Sequence, residues 1–80
     1  MTRDEIIVKI RGSIDRILRD KGSEPAAVDA DTPLIGGDIA IDSLDLATIV
    51  VELETETGKD PFAAGFVNFA TVGELADLYV

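Results

Sequence analysis

Residues 41–54 read Ile41-Asp42-Ser43-Leu44-Asp45-Leu46-Ala47-Thr48-Ile49-Val50-Val51-Glu52-Leu53-Glu54, and the fold turns on how this stretch is taken. The β-branched run Ile49-Val50-Val51 suits a strand by propensity. Two stronger signals oppose that. Leu46, Ile49, Val50 and Leu53 recur at helical spacing, with Leu44, Ala47 and Val51 as a second stripe beside them. Asp42, with Asp45 three positions on, forms a helix start, and Gly58 supplies a stop after Thr57. The stretch is therefore expected to be a helix whose wide apolar face touches more than one neighbour.

Upstream, Ile6, Ile7, Ile10, Ile14, Ile17 and Leu18 lie on one stripe of a helix expected over residues 3–20. Thr2 and Glu5 make a capping box at its start, and Lys21-Gly22 makes its stop. Residues 23–41 hold Pro25, Pro33 and the Gly36-Gly37 pair without a sustained period, so a long ordered loop is expected, pinned by Val28, Leu34, Ile35 and Ile39. Asp29 and Asp31 do not open a calcium loop, because Leu34 stands where that loop needs Gly and no Glu closes it. Downstream, residues 63–69 have room for a short helix, with Phe62, Phe66 and Phe69 closing the core from one side. Thr71 and Glu74 cap a last helix that carries Val72, Leu75, Ala76, Leu78 and Tyr79 to the end. The expected fold is all-α: a small four-helix bundle of three longer helices and one short one, with a long first loop, in one domain over residues 1–80.

Composition restricts what such a domain does. The 80 residues carry a net charge of −9 and are 46% hydrophobic, enough for one small core. Charge is uneven: the first 22 residues sum to +2, and the rest, with Lys59 its single base, to −11. That acidity disfavours nucleic-acid and anionic membrane partners and favours cationic protein patches. With no His and no Cys, the chain has no Ser-His or Cys-His pair, no thiolate and no imidazole metal ligand. Its apolar runs fall far short of the roughly 18 residues of a membrane span, and Asp4 and Glu5 do not suit a signal peptide, so a cytoplasmic protein is expected.

The chemistry-bearing candidate is Asp42-Ser43-Leu44, at a loop-to-helix junction. A helix N-terminus offers unpaired N–H groups and positive partial charge, a favourable field for a phosphodiester on Ser43. An Asp-Ser pair is also an ordinary helix cap.

The order of elements and the residues Ile41-Asp42-Ser43-Leu44-Asp45-Leu46, then Val51-Glu52-Leu53-Glu54, Gly58 and Thr71-Val72-Gly73-Glu74-Leu75, resemble the acyl carrier protein family over essentially the whole chain. The resemblance implies that Ser43, flanked by Asp42 and Leu44, carries 4'-phosphopantetheine, installed by a phosphopantetheinyl transferase from coenzyme A with magnesium. It implies a non-catalytic carrier whose arm holds acyl or aminoacyl groups as thioesters for fatty acid, lipid, polyketide or related biosynthesis. The missing His and Cys then make sense, since the cofactor brings the thiol and the partner enzymes bring acids and bases. Asp38, Asp45, Glu52, Glu54 and Glu56 are the candidate contacts for basic patches on those enzymes. Ala47, Val51, Phe66 and Val67 are candidate liners of a cargo pocket, although core packing calls for the same residue types. Thr48 stands where many carriers of fatty acid synthesis place Glu, and Thr57 where many relatives place an aromatic, which points to a specialised member.

Two other readings are testable. Ile41-Asp42-Ser43-Leu44 approaches the Gly-Asp-Ser-Leu signature of certain esterases, but Ile41 replaces Gly and no histidine base exists. An unmodified acidic helical adaptor for a basic partner is the main alternative to the carrier.

Overall fold

The computed structural model describes residues 1–34, 39–65 and 67–80, and within them three helices: α1 (Arg3–Asp20), α2 (Ser43–Thr57) and α3 (Val72–Asp77). Each begins with the reciprocal capping box its sequence calls for, Thr2 with Glu5, Asp42 with Asp45 and Thr71 with Glu74. Gly22 at φ +70° and Gly58 at φ +71° take the left-handed conformation just beyond α1 and α2.

The stripe Ile6, Ile10, Ile14, Ile17 and Leu18 is buried, and α1 packs against both α2 and α3 through it. From α2, Ile49 and Leu53 are buried and Leu46 and Val50 lean on the core. From α3 and its flank come Val72, Leu75, Ala76 and Tyr79. Each buried Val, Leu and Ile among them contributes about 1.5–3 kcal/mol of burial.

The connection after α1 is pinned as expected by Val28 and Leu34, which are buried, and by half-buried Ile39. Ile35 lies outside the described residues. Asp29 and Asp31 fold this loop on itself: the Asp31 N–H donates to Asp29 Oδ1 at 2.9 Å and the Asp29 N–H to Thr32 Oγ1 at 2.9 Å. Residues 30–34 then run beside 70–73, where the N–H groups of Gly73, Val72 and Leu34 donate to the carbonyls of Ala30, Thr32 and Ala70 at 2.8, 3.0 and 2.7 Å.

Three expectations are corrected. Residues 63–65 are turn rather than helix: Ala63 and Gly65 donate three residues back, to Asp60 and Phe62, and Gly65 at φ +132° stops propagation. The last helix spans only 6 residues, so two long helices and one short one replace the expected three and one among the described residues. The second stripe of α2 packs on no second helix among the described residues: Leu44 and Val51 are 78% and 60% exposed. The aromatic wall holds for Phe62 and Phe69, whose rings meet edge to face at 6.0 Å. Phe66 lies outside the described residues.

Gly73 is the tightest point of the seam, since a Cβ there would lie 2.5 Å from Arg3 Nη2 and 2.9 Å from the Ala30 carbonyl oxygen. Helix propensity alone favours Ala over Gly by about 1 kcal/mol. Gly73→Ala should nevertheless lower the unfolding free energy by about 1–3 kcal/mol, measured by urea denaturation, because backbone atoms must move to admit the methyl group.

Candidate functional site

Ser43 is the first residue of α2 and is exposed. Its position is set by its neighbours. The Asp42 carboxylate accepts from the Asp45 N–H at 3.0 Å, and the Asp45 carboxylate accepts from the Asp42 N–H at 3.0 Å, so the turn that presents Ser43 is closed from both sides. The Lys21 ammonium, at the end of α1, donates to the same Asp45 Oδ2 and to the Ala40 carbonyl at 3.1 Å. Lys21, and after it the Asp42 N–H, hold the Asp45 carboxyl below its ordinary value, and Asp45 in turn raises Lys21.

Below Ser43 opens a cavity of about 770 Å³. One wall is α2 with the residues before it: Ile41, Asp42, Ser43, Leu46, Ala47, Val50 and Val51. The other is Leu34, Phe62, Gly65 and Phe69. Among the described residues of the lining the polar side chains are those of Asp42 and Ser43, and the rest are apolar. Of the expected liners, Ala47 and Val51 line it, and Val67 is exposed elsewhere.

The carboxylates of α2 are engaged differently from a free acidic face. Lys21 pairs with Asp45, Arg16 with Glu52, and Lys9 with Glu56 at 3.3 Å. Ser13, buried in α1, donates its hydroxyl to the second oxygen of Glu52 at 3.1 Å. As residue numbers rise along α1 they fall along α2, so the helices run antiparallel with their charges matched across the seam. Asp45, Glu52 and Glu56 thus each face a base of α1, with side chains 17%, 31% and 48% exposed. Glu54 is half-buried, and burial together with nearby Asp60 pushes its carboxyl up. Asp42 is exposed, and Asp38 lies outside the described residues. Burial also pushes the Tyr79 phenol up to about 12.

Sequence reading missed this clasp. The signal was present in the spacing of Lys9, Ser13 and Arg16 on α1 and of Asp45, Glu52 and Glu56 on α2, each set on one helical face. Thr48 donates its hydroxyl to the Leu44 carbonyl at 3.1 Å and Thr57 to that of Leu53 at 2.7 Å. The solvent face of α2 from Leu44 through Ala47 and Thr48 to Val51 therefore carries no charge. No helix among the described residues is long and apolar enough to cross a membrane, and no described cluster of three or more acids can hold a metal ion.

The site suits a covalently held phosphodiester. An exposed serine stands at the positive end of a 15-residue helix, one nearby carboxylate is neutralised by Lys21, and Ser43 itself lines the apolar cavity.

The sequence family described as phosphopantetheine attachment site matches residues 9–79. Among solved structures, the chain is similar to the solution structure of MacpD, an acyl carrier protein from Pseudomonas fluorescens involved in mupirocin biosynthesis. Identity is 34%, the match covers 96% of this chain and 69% of that one, and the TM-score is 0.79. No curated protein sequence matches.

Two carboxyls at this site should show opposite pH behaviour. The depressed Asp45 contributes stability above the ordinary carboxylate value, near pH 4, that is lost as pH falls through its lower folded value. Asp45→Asn should therefore melt below wild type at pH 7, with the gap closing in acid as pH falls through the depressed folded value. The raised Glu54 costs stability when ionised, so Glu54→Gln should melt above wild type at pH 7 and converge with it in acid. Thermal melts across that range check both signs.

Proposed function

Because this chain belongs to the phosphopantetheine attachment family, we propose that its 4'-phosphopantetheine is carried on Ser43, with residues 1–80 acting as one carrier domain. The observation that carries this reading is that exposed Ser43 lines a cavity whose other described lining side chains, apart from Asp42, are apolar. When bound, the group supplies the thiol on which an acyl chain is held as a thioester.

The residues around it bind and orient. Asp42 and Asp45 fix the helix start, and the α2 N-terminus lends its partial positive charge to the phosphate. Leu46, Ala47, Val50 and Val51 on one side and Phe62 and Phe69 on the other shield an apolar cargo from water. In this reading the transferase supplies the group that accepts the proton of the Ser43 hydroxyl. The protein is in this reading a substrate of its partner enzymes and no enzyme itself.

The α2 face next to Ser43 sets how those enzymes dock. Any active site that closes on Ser43 also covers Leu44, the adjacent and 78% exposed residue, and Val51 continues the same uncharged face. Docking is thus carried by apolar contact there, with Asp42 as the adjacent charge. A specialised biosynthetic role, polyketide assembly among them, is supported by similarity to a carrier involved in mupirocin biosynthesis and by the neutral Thr48 on this face.

Incubation with coenzyme A, magnesium and a promiscuous phosphopantetheinyl transferase should add one arm to the intact protein by mass spectrometry, and Ser43→Ala should abolish the addition. An unchanged mass with several transferases would favour the unmodified adaptor. Leu44→Asp should keep the fold by circular dichroism and raise the KM of the carrier as transferase substrate by about tenfold, as for loss of a central interface anchor.

A further inference from the structure

Lys21 occupies an unusual place for a helix-terminal lysine. It is the C-cap residue of α1, and its side chain crosses to the far end of the long loop, donating to the Ala40 carbonyl at 3.1 Å and to Asp45 Oδ2. The oxygen it holds is the one that accepts the Asp42 N–H at 3.0 Å. Lys21 is therefore wired into the capping box that fixes Ser43. Among the described residues the other side-chain hydrogen bonds to residues 39–46 come from within that segment or from Thr48 on α2 itself, so Lys21 is the side chain that reaches it from another element. The Asp45 side chain is 17% exposed and that of Lys21 35%, so the link is partly withdrawn from solvent, where screening is weaker.

We propose that Lys21 is a positioning residue for Ser43: by bridging the Ala40 carbonyl and the Asp45 carboxylate it ties the start of α2 to the end of α1 and holds the serine hydroxyl in the geometry the transferase requires. This rests on Ser43 being the modified residue. Two effects follow from the one contact. The bridge removes slack from a junction otherwise held by half-buried Ile39, Ile41 and Leu46. It also sets a positive charge against one of the two carboxylates that flank Ser43, which lowers the repulsion an incoming phosphate meets.

The test is steady-state modification of the full chain with coenzyme A, magnesium and a phosphopantetheinyl transferase, comparing wild type, Lys21→Met and Lys21→Arg. Lys21→Met should lower kcat by about tenfold, the cost of a slightly misplaced nucleophile, with KM for the carrier changed by less than roughly twofold. Lys21→Arg keeps two donors and should restore most of the rate. Amide exchange should quicken at Asp45 and Leu46 in Lys21→Met and stay unchanged at Ile10 and Ile14. A wild-type rate in Lys21→Met, a loss confined to KM, or an arginine variant as slow as the methionine one would each overturn the proposal. If wild type itself takes no arm, the reading of Ser43 fails. Exchange at Asp45 and Leu46 then judges the tether by itself, and unchanged protection there overturns it as well.

Discussion

The isoleucine stripe of α1 is the surface on which the rest of the molecule is assembled. Ile6, Ile10, Ile14 and Ile17 lie buried along one helix, and both other helices reach the core by packing on it. The dependence is steep for α3. A helix of 6 residues cannot pay its nucleation cost in water, so its capping box, its four buried residues and the backbone seam to residues 30–34 must all be in place together. The first loop up to residue 34 is ordered for the same reason: it leaves α1, runs beside residues 70–73 and buries Val28 and Leu34 on the way.

On that scaffold a second layer of order is electrostatic. The basic helix α1 faces the acidic helix α2, and the pairs Lys9 with Glu56, Arg16 with Glu52 and Lys21 with Asp45 line up along the antiparallel seam. Exposed pairs of this kind contribute little each, typically about 0–1 kcal/mol. Their larger effect is to match the two helices in register: Asp45, Glu52 and Glu56 each answer a base of α1, while the Glu56 side chain stays 48% exposed. What is left outward on α2 next to Ser43 is Leu44, Ala47, Thr48 and Val51.

These two layers give the carrier reading its physical sense. A carrier needs a rigid point of attachment, a dry place for cargo and a face that releases its partners readily. The capped start of α2 supplies the first and the cavity between α2 and the Phe62–Phe69 wall supplies the second. The small uncharged face supplies the third, since a few exposed apolar side chains support contact without a deep interface.

Much of this was legible in the linear chain. The helical period of α1 and α2, the three capping boxes, the glycine stops and the Asp42-Ser43-Leu44 junction are local features, fixed by residues three or four apart, and each appears where the sequence places it. The short helix expected at 63–69 failed because Gly65 adopts a backbone conformation that ends a turn, a choice open to glycine and invisible in its identity. The wide apolar face of α2 was misread for a different reason: periodicity shows which residues share a face, and only the placement of neighbours shows whether anything covers it. Likewise, composition counted the acids of the second part and the bases of the first. Which acid meets which base depended on two helices, separated by a long loop, docking antiparallel in one register, and that register is set by core packing between distant segments rather than by any local pattern.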